Sequence, residues 1–206
     1  MESLFSAMIV LLLVTFSCFT SSEALSSNNG NITIKWDVMS WSPDGYVAMV
    51  LVTNHQKQCS IGPPGWKMSW TWTKKEMIWS MTGAQATEQG DCSMFKKFIP
   101  ESCAGKPTVV DLLPETPYNL QITNCCKGGV LTPGGKSSFQ LTVGNAGTSN
   151  KTARIPVNFM FTAPKQQYIC GPTKNVRPTR FIYADSNRTT QAMMTWNVTC
   201  IFHKAT

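Results

Sequence analysis

The sequence PGWKMSWTWTKKEMIWSM, residues 64–81, holds four of the seven tryptophans of the chain and decides which fold it can take. Apolar and polar residues alternate through its first half. In an extended strand, side chains two residues apart lie on the same face. The alternation therefore puts four large apolar residues on one face of a strand, namely Trp66, Met68, Trp70 and Trp72.

The second half of this stretch keeps the alternation but changes its parity. Lys74–Glu76 interrupts the pattern, and the apolar residues then resume as Met77, Trp79 and Met81. A parity change across a short polar segment is typical of a hairpin or a β-bulge. The stretch therefore predicts two strands of one sheet.

The tryptophan-rich face has two alternative roles. A buried indole removes about 150–250 Å² from water, worth roughly 4–6 kcal/mol as an upper estimate, so a core role is energetically favoured. Met68 lies on the same face, and methionine is a core filler. Exposed instead, the planar rings would form a platform that stacks on the apolar faces of glucose units.

The rest of the chain predicts further short strands joined by turns. Asn31–Val38 alternates apolar and polar residues, the segment Ser42–Gly45 (SPDG) has turn chemistry, and Tyr46–Thr53 is an apolar run typical of a central strand. Six more strands are expected at Pro107–Leu113, Tyr118–Thr123, Ser138–Val143, Ala153–Phe161, Arg180–Tyr183 and Gln191–Cys200. Regular strands separated by Pro and Gly turns indicate an all-β protein with a β-sandwich, immunoglobulin-like or carbohydrate-binding-module-like.

The first residues resemble a targeting segment. Met8–Phe19 is an apolar run too short for a membrane span. The small residues Ser22 and Ala24 occupy the −3 and −1 positions before a cleavage after residue 24. We expect a signal peptide at residues 1–24 and secretion of the rest. Its removal raises the formal charge from +7 to +9 and leaves seven of eight cysteines.

Cysteines and glycosylation motifs agree with the secretory route. Seven cysteines imply disulfides with one thiol left over, and two adjacent cysteines are each expected to reach a different partner. The disulfide candidates are Cys92, Cys103, Cys125, Cys126, Cys170 and Cys200. N-glycosylation sequons begin at Asn31, Asn150, Asn187 and Asn197.

The sequence offers little for catalysis. Glu88 and Asp91 are the nearest pair of carboxylates, and turn formation beside Cys92 explains both. His55 and His203 are the two histidines, and neither has the spacing of a catalytic triad or a zinc site. We expect no enzymatic activity, no metal and no cofactor. The basic residues are dispersed, which fits a solvated surface or attraction to an acidic polysaccharide, and a secreted glycoprotein has no nucleic-acid partner.

Several segments together resemble the COBRA-like family of plant cell-wall glycoproteins. They are distributed along residues 31–200 and are NITIKWDVMSWSPDGY (31–46), WTWTKKEMIWSMTGAQATEQGDC (70–92), PTVVDLLP (107–114), NCCKGGV (124–130), GTSNKT (147–152), YICGP (168–172) and TQAMMTWNVTC (190–200). The chain departs from the family pattern at Ser102, where an additional cysteine is common, and at Cys59, which is an addition.

The resemblance implies a secreted, non-enzymatic β-sandwich, residues 31–206, that associates with cellulose or another wall glucan and promotes ordered deposition of microfibrils. The candidate carbohydrate contacts are Trp41, Tyr46, Trp66, Trp70 and Trp72. Family members continue into a C-terminal region and are lipid-anchored at the outer face of the plasma membrane. We expect this chain to lack both that region and the anchor. The alternative is a wall interaction protein that binds acidic polysaccharide or a protein partner through its basic surface.

Overall fold

The computed structural model describes residues 31–183 and 188–203. The expected signal peptide and Asn187 lie outside the described residues. The structure is built almost entirely from strands, with one 3₁₀ turn at Tyr118–Leu120 in the part described. The strands are β1 Asn31–Trp41, β2 Gly45–Asn54, β3 Lys67–Thr71, β4 Met77–Thr82, β5 Ala84–Ala86, β6 Thr108–Asp111, β7 Lys136–Gly144, β8 Val157–Ala163, β9 Gln166–Cys170, β10 Lys174–Val176, β11 Arg180–Tyr183, β12 Arg188–Gln191 and β13 Met194–His203.

One large antiparallel sheet folds over on itself to make two layers. Its hydrogen-bonded order is β4-β7-β2-β1-β13-β9-β8-β3-β6-β5, with β10 also paired to β13, while β11 and β12 form a separate hairpin. The first five strands in this order make one layer and the last five make the other. The layers face each other, because Trp36 on β1 and Trp70 on β3 have ring centroids 5.2 Å apart although three strands separate them in the sheet order. The all-β expectation is confirmed.

Strands β1 and β2 form as the sequence predicts. The apolar residues Ile32, Ile34, Trp36 and Val38 are fully buried, while their polar neighbours in β1 are mostly half-buried on the other face. Strand β2 lies between β1 and β7, so the continuous apolar run is a central strand, as predicted.

Residues 64–81 form two strands of one sheet, as predicted, but the two strands do not pair with each other. Strand β3 pairs with β6 and β8, whereas β4 pairs with β7 in the opposite layer. A buried carboxylate holds the crossover between them. Glu76 accepts hydrogen bonds from the Thr73 hydroxyl (2.8 Å) and the Lys74 backbone N–H (2.7 Å), and Arg154 Nε lies 4.0 Å from it.

The prediction of a strand at Tyr118–Thr123 is wrong. Its first residues form the 3₁₀ turn, and the rest is loop. The side chains of Tyr118 and Leu120 are exposed, and no residue of the 3₁₀ turn is buried. A strand depends on burial of one face, which the spacing of apolar residues alone does not ensure.

Three disulfides link the cysteine candidates: Cys92–Cys103, Cys125–Cys126 and Cys170–Cys200. The expectation that adjacent cysteines find different partners is therefore wrong. Cys59 is also disulfide-bonded, and no cysteine among the described residues is free.

A buried carboxylate explains the adjacent pair. Asp111 accepts hydrogen bonds from the backbone N–H groups of Cys126 (2.9 Å), Lys127 (3.0 Å) and Gly129 (3.0 Å). Asn124 and Cys126 both have φ of 68°, so the chain turns tightly around the carboxylate. This turn holds the two neighbouring side chains together.

Candidate functional site

Four of the five candidate carbohydrate contacts are inside the protein. The exposed fractions of Tyr46, Trp66, Trp70 and Trp72 are 0%, 1%, 0% and 4%. A ring with no exposed face cannot stack on an external sugar. The prediction that these four contact a glucan is corrected, and the alternative core role is the one the structure shows.

The buried rings pack against one another between the layers. Trp36 lies edge-to-face with Trp70 (5.2 Å) and Trp72 (6.4 Å) and is stacked on Trp196 at 5.8 Å. Trp66 stacks between Phe139 and Phe161, with centroids 6.3 Å and 6.2 Å away. Offset and edge-to-face pairs of this kind add about 0.5–1.5 kcal/mol each to the burial of the rings. The aromatic face is therefore the centre of the core.

The fifth candidate, Trp41, is only half-buried. It ends β1, and its ring lies edge-to-face with Tyr46 at a centroid distance of 6.3 Å. Burial raises the pKa of the Tyr46 phenol, whose hydroxyl donates a hydrogen bond to the Arg154 carbonyl (3.4 Å). Trp41 thus forms the partly exposed rim of the core, next to the turn that leads into β2.

Trp79 is the exception within the quoted stretch, because a bulge turns it outward. The register of β4 against β7 shifts between Ile78 and Ser80. Ile78 and Met81 therefore face the core, while Trp79 is half-buried and Ser80 is exposed. The parity predicted from sequence put Trp79 on the same face as Met81, and the bulge makes that assignment wrong.

The indole of Trp79 lies close to the backbone of the neighbouring strand at Gly144. A Cβ added at Gly144 would be 2.2 Å from its Nε1 and 2.8 Å from its Cδ1, so only glycine leaves room for the ring. The Nε1–H donates a hydrogen bond to Asp44 Oδ2 (3.1 Å), and Asp44 Oδ1 accepts one from the Ser42 hydroxyl (3.4 Å). The turn between β1 and β2 thereby fixes the ring.

A loop closed by a disulfide supplies a second aromatic ring. Phe95, between Cys92 and Cys103, lies edge-to-face with Trp79 at a centroid distance of 5.2 Å. Next to Trp79 in β4, the Ser80 hydroxyl donates to the Thr142 hydroxyl at 3.3 Å. We call these five residues the Trp79 site: Asp44, Trp79, Ser80, Phe95 and Thr142. Sequence reasoning missed Phe95, which nothing in the local pattern distinguishes from its neighbours.

The two carboxylates considered for catalysis, Glu88 and Asp91, do not form a common site. Asp91 accepts a hydrogen bond from the Ser93 backbone N–H (3.0 Å), and hydrogen bonding to Ser93 lowers the pKa of this exposed carboxyl. It stabilises the first turn of the loop. Glu88 lies in a shallow depression over the outer face of β3, together with Lys67 and Lys106. Nothing brings Glu88 and Asp91 together around a common cleft.

Three of the four glycosylation sequons lie among the described residues. Asn150 is exposed in the turn before β8, where the Thr148 N–H donates to the hydroxyl of Thr152, the third residue of the sequon. Asn31 begins β1 and is half-buried, and Asn197 is half-buried on β13, paired with Lys174 of β10. Asn150 is therefore the acceptor that a transferase would reach most easily.

Residues 31–183 and 188–203 hold no cluster of His, Cys, Asp or Glu that could bind a metal ion. Within the same ranges no helix has the length and apolar character needed to cross a bilayer.

Comparison with known proteins gives consistent matches along the whole chain. Residues 46–203 match the model of the COBRA N-terminal domain. COBRA-like protein 5 of Arabidopsis thaliana is 71% identical over 206 residues, covering 100% of both chains. Protein COBRA of Arabidopsis thaliana is 57% identical over 96% of this chain and 45% of its own length.

A rice relative has similar coverage. COBRA-like protein 1 of Oryza sativa subsp. japonica is 57% identical over 94% of this chain and 46% of its own length. The chain thus spans all of COBRA-like protein 5 but less than half of these two longer relatives. No solved structure matches it. On the family model and these identities, the chain belongs to the COBRA family, and its residues 46–203 are a COBRA N-terminal domain.

Proposed function

We propose that this protein is a non-enzymatic extracellular protein that associates with cellulose or another cell-wall glucan and promotes the organisation of cellulose microfibrils. The observation that carries the proposal is the Trp79 site. It combines a partly exposed indole, a second ring, a carboxylate and two hydroxyls on the outer face of one layer.

The chemistry of the Trp79 site suits a glucose unit. The axial C–H groups of the sugar make its faces apolar, and they pack against an aromatic ring, while the equatorial hydroxyls need hydrogen-bond partners at the ring edge. Asp44 accepts such bonds, and Ser80 and Thr142 both donate and accept them. The ring is held on one side by Gly144 and Asp44, so little conformational entropy is lost on binding.

Trp41 remains a candidate for a second contact. It is half-buried and directly precedes the turn that carries Ser42 and Asp44. A glucan chain bound along this end of the sheet would meet an aromatic edge on either side of the turn. We place Trp41 at the rim of the same surface, and we leave the four buried rings out of it.

Family membership and the secretory features support an extracellular location. The proposed signal peptide would direct the chain to the secretory route, where disulfides form and Asn150 would receive a glycan. Asn31 and Asn197 are the further acceptors proposed among the described residues. Residues 31–206 would act as one binding domain.

Depletion isotherms on crystalline cellulose test the proposal. We expect Trp79→Ala to weaken binding by roughly tenfold, because one stacking contact is worth about 1.4 kcal/mol. The matched control is Tyr118→Ala, which removes an aromatic ring that is 89% exposed in a different loop. Equal binding by wild type and Trp79→Ala, with both variants folded, would reject the site.

The basic surface supports the second candidate function, attraction to acidic wall polysaccharide. The chain has 18 lysines and arginines against 11 acids, and Arg154–Glu76 is the one ion pair found in the described part of the chain. Binding of this kind would disappear in moderate salt and would not respond to Trp79→Ala. Retention on polygalacturonate at low salt, measured beside cellulose, separates the two functions.

A further inference from the structure

The loop between Cys92 and Cys103 has an unusually apolar tip. Its sequence, CSMFKKFIPESC, leaves Met94 exposed by 76%, Phe98 by 80% and Ile99 by 60%. These are among the most exposed large apolar side chains of the described residues. Exposure of adjacent large apolar side chains is costly in water and marks an interaction surface.

The tip is held in place and is not a loose end. The disulfide Cys92–Cys103 closes its base, and Phe95 turns inward onto Trp79. Backbone bonds run from Phe95 N–H to the Cys92 carbonyl (2.9 Å) and from Cys103 N–H to the Gln89 carbonyl (2.6 Å). The same loop therefore has an inner ring that supports the Trp79 site and an outer tip whose large apolar side chains are mostly exposed.

The charges of the tip are all positive. Lys96 and Lys97 are exposed and lie between the apolar residues, and neither has a carboxylate within ion-pair distance. The acids at the base face elsewhere, because Asp91 accepts from the Ser93 N–H and Glu101 from the Ala86 N–H (3.5 Å). A short segment that combines lysines with aromatic and aliphatic side chains is typical of contact with a membrane interface.

We propose that the tip, residues 94–99, binds the surface of an anionic lipid bilayer. Met94, Phe98 and Ile99 enter the boundary between headgroups and acyl chains, and Lys96 and Lys97 contact lipid phosphates. Phe98 is the one exposed ring of the tip, and the aliphatic side chains of Met94 and Ile99 beside it do not stack on sugars, so the tip is chemically distinct from the Trp79 site. A protein with both surfaces could lie between a bilayer and a glucan.

Vesicle sedimentation of the full secreted chain tests this proposal. The probes are phosphatidylcholine vesicles with and without phosphatidylserine. We expect retention on the mixed vesicles, weaker retention on neutral ones, and a loss of about tenfold for the double variant Phe98→Ser with Ile99→Ser. The double variant Lys96→Gln with Lys97→Gln should bind the anionic vesicles about fivefold more weakly per lysine. Its binding to the neutral vesicles should be unchanged.

The matched control is Tyr118→Ser with Leu120→Ser, which removes two exposed apolar side chains from another loop. It should bind vesicles as wild type does. Absence of wild-type retention on the vesicles that contain phosphatidylserine overturns the proposal. An equal loss of retention in the control variant overturns it as well. If the tip variant instead abolishes self-association or cellulose binding while vesicle retention persists, a second copy or a glucan is the occupant and the lipid proposal fails.

Discussion

Trp70 and Trp79 belong to one short stretch of sequence, and the protein uses them in opposite ways. Trp70 lies in the middle of β3 with no exposed surface, enclosed by Trp36, Trp72 and Phe159 from both layers. Trp79 lies on β4, an edge strand, where its ring is next to Gly144 and makes an edge-to-face contact with Phe95. The difference comes from the layers around each ring, since the residue type is the same.

The comparison shows that the tryptophans of one short sequence can have different roles, some in stability and one in recognition. Rings in the centre of a layer are covered by the opposite layer and contribute to folding. A ring displaced by a bulge at the edge leaves the core and becomes available to a ligand. Substitutions at the two kinds of position should therefore separate the free energy of unfolding from binding.

The largest effect is expected in the core. Trp70→Ala should reduce the free energy of unfolding by about 3–5 kcal/mol, because it leaves a cavity among three aromatic rings. Trp79→Ala should cost less than about 1 kcal/mol, since its ring is partly in water. Urea denaturation of both variants measures the contrast, and similar losses in the two would contradict the division into core and surface.

The next largest effect on the free energy of unfolding is expected at Asp111. Asp111→Ala leaves three backbone N–H groups unsatisfied, two of them in buried hydrogen bonds, and we expect a loss of about 2–3 kcal/mol in the free energy of unfolding. Asp91→Ala is the control, because that carboxylate is exposed and accepts one backbone bond from Ser93. A loss for Asp91→Ala as large as that for Asp111→Ala would show that burial does not set the difference.

Substitution of Gly144 tests the position of the Trp79 ring without removing the ring. In Gly144→Ala the new methyl group would overlap the indole, which must move away from Asp44. We expect cellulose binding to fall roughly tenfold, as for Trp79→Ala. Gly62→Ala is the matched control, since an added Cβ there meets nothing within 4 Å. Unchanged binding by Gly144→Ala would mean that the ring position is unimportant.

A smaller effect should appear at alkaline pH. Burial raises the pKa of Tyr168 to about 12, although Gln56 donates a hydrogen bond to its oxygen (2.7 Å). In the unfolded chain tyrosine ionises near pH 10, so the unfolded state loses its proton first as the pH rises. Stability should hold below about pH 10 and fall between about 10 and 12.

Tyr168→Phe should flatten this fall. It should not remove it, because burial raises the pKa of Tyr46 as well. Chemical denaturation at a series of pH values provides the measurement. A variant with the same alkaline slope as wild type would show that Tyr168 is not responsible.

The sequence predicted the local structure well and the long-range structure poorly. The alternation in Asn31–Val38 and in Trp66–Trp72 identified two strands and their buried faces, because side-chain direction in a strand depends only on parity. Parity does not say which strands pair. The crossover between β3 and β4 depends on Glu76 and its hydrogen bonds, which no periodicity reveals.

The candidate site was predicted less well for the same reason. Trp79 reaches the surface through a one-residue bulge, and Phe95 reaches it through a loop whose position depends on the Cys92–Cys103 disulfide. The Cys125–Cys126 pair depends on Asp111, which is distant in sequence. The family resemblance correctly identified the relatives of the chain, but the aromatic residues proposed as carbohydrate contacts are mostly core.

The indole N–H signals of the seven tryptophans give the most direct test of the central claim. In a ¹H–¹⁵N spectrum titrated with a soluble cello-oligosaccharide, we expect the Trp79 signal to shift, with Trp41 the one other candidate. The signals of Trp66, Trp70 and Trp72 should stay in place, because these rings are buried. Shifts confined to the buried three, with Trp79 unchanged, would contradict the account.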